Sequence, residues 1–455
     1  VEKKAYRRWR CLNCSYVHEG DAPPAFCPVC GEPSESFQPI EEEEVRGEAA
    51  ASQKRVVIIG AGIAGVSAAE SVRKASPSAP VQLISMEKAN PYYRLNLTRY
   101  LAGEITDDAL PIFPESWFDD HSIEFSRGRE VDTFSLEEKS LRLDNGRDIG
   151  FDRLVMAMGS HPFTPPVPGT HLENVVTLKT IEDAQRILDA VEKGIECVII
   201  GGGILGMETA GALAKRGADV TLLESHEYLM PRQLNREASA RMRQHVEKIG
   251  ITLREKARTK EIMGDYRVRE VMLENGDTVP AGLVILATGI RPNTYLARKL
   301  GLSVNRGIVV NNYLESSAPE VFAAGDVAEH NGVVYGTWSI SQYQGNIAGM
   351  NAQGMGLAFG GLPRSNTIKV LGIDLFSIGQ FEPEDGSYLV KQYSTDTAFF
   401  HFLFHDGKMQ GSILLGDTSI GPQVKKAIES VTDFGTHLSK GWETGDIIEY
   451  MAESA

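Results

Sequence analysis

The stretch "KRVVIIGAGIAGVSAAESVRKASPSAPVQLISME", residues 54–87, decides the fold. A β-branched run from Val56 to Ile59 meets Gly60-x-Gly62-x-x-Gly65, and a small-residue helix follows. Pro77 and Pro80 mark the turns that end that helix, and a second apolar run stops at an acid. Strand, glycine turn, helix, strand is a βαβ unit. In such a unit Gly60 permits the tight turn, Gly62 lets a pyrophosphate approach the backbone, and Gly65 lets helix and strand close together. The helix start offers free N–H groups and a positive dipole end to phosphates. Glu87 is placed to accept hydrogen bonds from a ribose diol, with Met86 the alternative occupant of that position.

A second copy runs from 197 to 224, "CVIIGGGILGMETAGALAKRGADVTLLE". Gly201, Gly203 and Gly206 repeat the three glycine roles, and Glu224 ends the second strand. A carboxylate there accepts from a ribose 2′-hydroxyl and repels a 2′-phosphate. "SHEY" follows with no arginine immediately after the acid, so NADH is expected over NADPH.

Outward from these units, the chain has 455 residues, more than one core holds. Its 42% hydrophobic and 24% charged content is ordinary for a soluble globular protein. A net charge of −15 argues against nucleic acid or an anionic membrane as main partner. No apolar run reaches the roughly 18 residues of a membrane helix, and no apolar stretch follows the charged start, so no signal peptide is expected. Four of the five cysteines, Cys11, Cys14, Cys27 and Cys30, form two C-x2-C pairs. That spacing closes around one tetrahedral metal, either structural zinc or redox iron. No disulfide framework remains, which fits a reducing cytoplasm.

The chain divides into residues 1–40 with the cysteines, a charged stretch 41–53 read as a linker or a helix cap, and 54–165 with 287–360. Residues 166–286 hold the second glycine unit, and 361–455 turn to short strands followed by a helix from Pro422. The expected fold class is α/β: two Rossmann-like dinucleotide domains between a small metal domain and a C-terminal α+β domain.

Further motifs carry a resemblance. "LVMAMGSHP" (154–162) and "LVILATGIRPN" (283–293) flank the second unit, and "PEVFAAGDVAE" (319–329) follows. With the two glycine fingerprints in this order, the chain resembles the pyridine nucleotide–disulfide oxidoreductase flavoproteins over about residues 54–355; Met158 stands where that family has Thr. The resemblance implies FAD at the first site, held by Gly60, Gly62, Ala64, Gly65, Glu87, Arg94, Val131, Gly159, Gly325 and Asp326. It implies NAD(P)H at the second, held by Gly201, Gly203, Gly206, Glu224 and Gly289. "NPYYRLNLTRYLAG" (90–103) is similar to the branch that includes NADH:rubredoxin reductases and the N-terminal part of assimilatory nitrite reductases. In that branch Arg94 would lie by the FAD pyrophosphate. Arg99, where a lysine is usual, would pair with Glu208 beside flavin N5 as the catalytic pair. Trp338 is a further candidate neighbour of the ring.

Residues 7–40 resemble rubredoxin, and especially the short-gap module of rubrerythrins, through the two knuckles, "CPVCGEP", Trp9, Tyr16, Phe26 and Phe37. Ser15 replaces the usual glycine. About 40 residues bury too little surface to fold unaided, so the metal supplies folding energy whether it is iron or zinc.

The helix after the first fingerprint has no cysteine, residues 90–103 have none, and Cys197 begins a strand. Reducing equivalents from the flavin therefore need a one-electron acceptor rather than a thiol relay. The expected enzyme passes hydride from NADH to FAD, then single electrons to iron in the four thiolates, and on to a partner redox protein. By resemblance the partner candidates are a flavodiiron protein, a rubrerythrin or a superoxide reductase; zinc is an expected substitute in recombinant protein, and an oligomer is compatible with the sequence. The alternatives are a flavin NADH oxidase with a zinc ribbon for docking, and a non-enzymatic NADH-sensing scaffold. His18, His161 and His330 are isolated and read as surface or core residues.

Overall fold

The computed structural model describes residues 8–11, 17–19, 22–25, 33–40, 53–361 and 365–453. Val56–Ile59 is buried along its whole length, as a central parallel strand must be. It pairs in parallel with Val81–Ser85 on one side and Arg153–Met156 on the other. Ile123–Arg127 and Val321–Ala323 complete a five-stranded sheet whose strands all run one way. The helix Ile63–Ala75 covers this sheet and crosses the helix Trp338–Ala352 at very short range. A Cβ on Gly345 would stand 2.2 Å from the Ala64 carbonyl oxygen, so only glycine fits that crossing.

The second unit repeats the plan. Val175–Thr177, Leu283–Leu286, Glu196–Ile200, Asp219–Leu223 and Thr252–Arg254 form a parallel five-stranded sheet in that order. Its helix Ile204–Lys215 is apolar on nearly every side. Leu213 and Met207 belong to a core that the C-terminal sheet also enters through Leu375, Phe399, Ile413 and Leu415. A short antiparallel ladder, Ser160–Pro162 with Ile290–Pro292, ties the two units together just after Gly159 and Gly289.

The C-terminal residues form a five-stranded antiparallel sheet between Ser365 and Leu415. Three helices follow, the first starting at Gly421 with proline in its opening turn, one residue before the expected start. One face of the sheet packs on these helices through Phe376, Phe402, Phe404, Val424 and Ile447. The other lies on the second unit. The α/β class, with two Rossmann-like units and a C-terminal sheet domain, is the one expected.

At the N-terminus, Arg8–Cys11, Val17–Glu19 and Phe37–Ile40 form a three-stranded antiparallel sheet with Cys11 and Phe37 buried. Cys14, Cys27 and Cys30, like Ser15, Tyr16 and Phe26, lie outside the described residues. Among the described residues no helix is long and apolar enough to cross a membrane.

Candidate functional site

Both glycine turns open at the carboxyl ends of their sheets, where open parallel sheets place ligands. Each helix that follows begins at a glycine, Gly62 or Gly203, with no side chain capping its free N–H groups. The glycines divide into two kinds. Gly60 and Gly201 have φ of +105° and +116°, and a Cβ on either would strike the backbone of Ala157 or Ala287. A Cβ on Gly65 or Gly206 would lie within 2 Å of the carbonyl oxygen of Gly60 or Gly201. Gly62 and Gly203, by contrast, face open space.

That space is one continuous cleft of about 2030 Å³. From the first unit Gly60, Gly62, Ala64, Glu87, Arg94, Val131 and Gly159 line it. Gly201, Gly203, Glu224 and Gly289 line it from the second, and Gly325 and Asp326 from the returning segment. Gly65 and Gly206 stand behind the wall and act through packing. Thr337 and Trp338 line the cleft at the uncapped start of the helix Trp338–Ala352, and Thr337 Oγ1 and Trp338 Nε1 are buried there without a hydrogen-bond partner. Trp338 also stacks on Tyr93 with ring centroids 5.6 Å apart. Two unsatisfied helix starts, glycines whose missing side chains leave room, and these orphaned donors suit two dinucleotides.

Glu87 is held by two neighbours. Tyr92 Oη donates to its Oε2 at 2.7 Å, and Arg94 forms an ion pair with Oε1. Arg94 also donates to the Lys179 carbonyl at 2.9 Å. Burial pulls the Arg94 guanidinium down, yet Glu87 and Tyr92 more than restore it and raise it above its usual value. Burial raises the Tyr92 hydroxyl well above the usual range. Met86, the alternative for the acid's position, is 66% exposed at the cleft edge and offers only a weak thioether acceptor.

Glu224 is 5% exposed. It accepts from the Gly202 N–H at 2.9 Å and the His226 N–H at 2.8 Å, and His226 Nδ1 lies 2.7 Å from its Oε1. Two backbone donors and an imidazole fix the carboxylate at the end of the second strand.

Sequence reasoning missed Lys179 and Ser160. Lys179 Nζ lies 3.0 Å from Ser160 Oγ and 3.6 Å from Asp326 Oδ2, and Ser160 donates to Asp326 at 2.7 Å. Burial pulls the Lys179 ammonium down, with Asp326 opposing. One sequence signal was available. Lys179 immediately precedes the Thr180–Asp183 capping box, which fixes where the helix Ile181–Ala190 begins.

The expected pairing of Arg99 with Glu208 is not formed. In the short helix Leu97–Leu101, Leu97, Thr98 and Leu101 turn inward and Arg99 falls on the outer side, 52% exposed. It pairs there with Glu104 at 3.4 Å, which Lys215 also reaches at 2.5 Å. Glu208 accepts instead from Thr98 Oγ1 at 3.2 Å. Neither Arg99 nor Glu208 lines the cleft. His161 lines it beside Asn293, 2.7 Å away, and His330 is buried against Asn312; of the His18 side chain nothing is described. Burial pushes the Cys197 thiol up to about 12, as expected of a packing residue. Among the described residues no cysteine lines the cleft.

The family model described as pyridine nucleotide-disulphide oxidoreductase matches residues 54–345. A rubredoxin NAD+ reductase C-terminal domain matches 365–432, and a rubrerythrin rubredoxin-like domain matches 9–38. The chain is 31% identical over 384 residues to the nitrite reductase [NAD(P)H] of Bacillus subtilis, covering 84% of this chain and 48% of the relative. It is 29% identical over 380 residues to the NADH-rubredoxin oxidoreductase of Clostridium acetobutylicum, covering 84% and 96%. The chain thus spans about half of the first and nearly all of the second. Among solved structures, the covalent putidaredoxin reductase–putidaredoxin complex superposes with a TM-score of 0.81 at 25% identity, covering 88% of this chain and 99% of that one.

Proposed function

The chain belongs to the pyridine nucleotide-disulphide oxidoreductase family, as an FAD-dependent NAD(P)H oxidoreductase, and from there we propose that it is an NADH:rubredoxin oxidoreductase carrying its own rubredoxin-like acceptor. The observation that carries this reading is the cleft itself. Two dinucleotide-type turns open into it, and among the described residues no thiol stands on its walls. Four of the five cysteines lie instead in the N-terminal unit. Bound in such a protein, FAD and NADH supply hydride transfer, and iron in four thiolates supplies one-electron transfer.

The chain's own residues divide the remaining work. Gly60, Gly62, Ala64 and Gly65 shape the first turn to admit a pyrophosphate, and Gly201, Gly203 and Gly206 the second. Glu87, Arg94, Val131, Gly159, Gly325 and Asp326 would hold the flavin dinucleotide, with Lys179 and Ser160 fixing Asp326. Glu224, pinned by its donors, would accept from the adenosine 2′-hydroxyl of NADH and exclude a 2′-phosphate. Gly289 closes the second site. Cys11, Cys14, Cys27 and Cys30 would hold the iron. The receiving protein would be a one-electron carrier or reductase, with a flavodiiron protein, a rubrerythrin or a superoxide reductase as candidates.

The test is an anaerobic NADH titration of the full chain expressed in iron-replete cells, followed in the visible spectrum alongside metal analysis. One iron per chain is expected, with flavin and ferric-thiolate bands bleaching in turn. Stoichiometric zinc, or a metal centre still oxidised when the flavin is fully bleached, would overturn the reading and favour an NADH oxidase with a structural ribbon.

A further inference from the structure

Tyr92 is 4% exposed, and its hydroxyl uses its whole hydrogen-bonding capacity. It donates to Glu87 Oε2 at 2.7 Å. It accepts from Arg94 Nη1 at 2.8 Å and from the Ile181 N–H at 3.2 Å. A phenol has one proton and two lone pairs. With an N–H donor on each lone pair, the proton is left for Glu87. The direction of that bond is therefore fixed, and with it the carboxylate that receives it.

The ring and the hydroxyl serve different parts of the molecule. The ring shares a buried core with Leu178, Ala184, Ile187 and Met207, which belong to the second unit. The hydroxyl reaches the acid that follows the strand Val81–Ser85 of the first unit. Ile181 opens the helix Ile181–Ala190, and Arg94 donates to the Lys179 carbonyl at 2.9 Å, so the start of that helix is held on both sides of its Thr180 cap. Glu87 and Arg94 line the cleft, and Tyr92 stands behind them. Arg94 pairs with Glu87 Oε1, so Tyr92 and Arg94 each engage one carboxylate oxygen. A carboxylate oxygen has two lone pairs, which leaves each one free to accept from a ligand. A side chain held in place before the ligand arrives does not lose rotamer freedom on binding.

We propose that Tyr92 is a positioning residue of the first dinucleotide site: from a ring anchored in the second unit's core, its hydroxyl holds Glu87 in the orientation that accepts from the adenosine ribose of FAD. The inference rests on the FAD reading of the first site. Tyr92 touches no ligand and works through Glu87. Arg94 keeps its ion pair and its bond to Lys179 without the hydroxyl, so its place does not depend on Tyr92. The acceptor of the first site is thus oriented from across the seam between the two units.

The test is a titration of the full chain, freed of flavin, with FAD and with FMN, followed by flavin fluorescence. FMN lacks the adenosine, so it offers Glu87 no ribose diol. Tyr92→Phe keeps the ring in the shared core and removes only the hydroxyl. The dissociation constant for FAD should rise about tenfold, within what one hydrogen bond to a charged group is worth. That for FMN should stay within about twofold of the parent, since the substitution leaves its contacts alone. In a Glu87→Ala background the same change should weaken FAD by no more than about twofold, because the carboxylate it orients is gone. An equal rise for both flavins would mean that the hydroxyl only supports the fold, and overturns the proposal. So does an unchanged FAD constant in Tyr92→Phe, or the full loss in the Glu87→Ala background. A parent chain that binds FAD no more tightly than FMN would instead sink the FAD reading of the first site.

Discussion

The glycines of each turn impose separable requirements, and single substitutions tell them apart. A Cβ at Gly206 lands 1.9 Å from the Gly201 carbonyl oxygen, a backbone atom that cannot move without opening the strand–helix junction. A Cβ at Gly203 meets nothing within 4 Å. Gly206→Ala should therefore destabilise the second unit by about 1–3 kcal/mol, read as a lowered denaturation midpoint. Gly203→Val should keep the parental midpoint and circular dichroism while raising KM for NADH at least about tenfold, because its side chain fills the phosphate's place. Loss of fold in Gly203→Val, or parental NADH affinity, would show that the second turn is only a bend. The glycines were legible in the sequence because a tight turn and a close approach are local demands of the backbone. Lys179 was not, since its value comes from Asp326, a distant part of the chain that meets it only in the fold. Arg99 misled for a related reason. Its sequence position suits a flavin contact, but the burial of its neighbours Leu97, Thr98 and Leu101 turns it to solvent.

The helix Ile204–Lys215 carries more than one interface, which explains why it is apolar almost all round. One side packs on its own sheet, another meets Leu97–Leu101, and a third receives the C-terminal hairpin whose tip is Leu371–Gly372. At that third contact a Cβ on Gly211 would lie 1.9 Å from Leu371 Cδ2. Gly211→Val should push the hairpin off its seat, costing about 1–3 kcal/mol, and hasten protease cleavage within the C-terminal sheet domain. Adding Leu371→Ala removes the obstructing side chain and should restore resistance. If the double variant is cut as fast as Gly211→Val alone, the contact is not what seats the domain. The strands of the C-terminal sheet were visible from alternating short apolar runs, but which face would dock was not. Both faces carry large apolar residues: Phe376, Phe402 and Phe404 on one, Leu375, Phe399 and Ile413 on the other.

At the scale of the whole molecule, the proposed electron path depends on the N-terminal unit being attached. The tether proposed for residues 41–53 rests on their composition, charged and then small. Fully extended, thirteen residues reach about 45 Å; as a flexible coil they average about 20 Å. A tether of that length holds a partner at an effective concentration of about a millimolar. Reduction of the metal centre by NADH should then be first order and independent of chain concentration. A protease site placed in 41–53 and cut after purification should make the reaction second order. At micromolar protein the rate should fall by about 10²–10³-fold, the ratio of millimolar to micromolar concentrations. The cut reaction should also become salt-sensitive. The N-terminal unit carries Lys3, Lys4, Arg7, Arg8 and Arg10 while the whole chain is at −15, and added salt screens such an encounter. Cys11→Ser, by removing one of the four thiolates, should stop metal reduction in cut and uncut protein alike while flavin reduction continues. If cutting leaves the delivery rate to an external acceptor unchanged, electrons bypass the cysteine unit. Its thiolates would then serve only to hold a small sheet together.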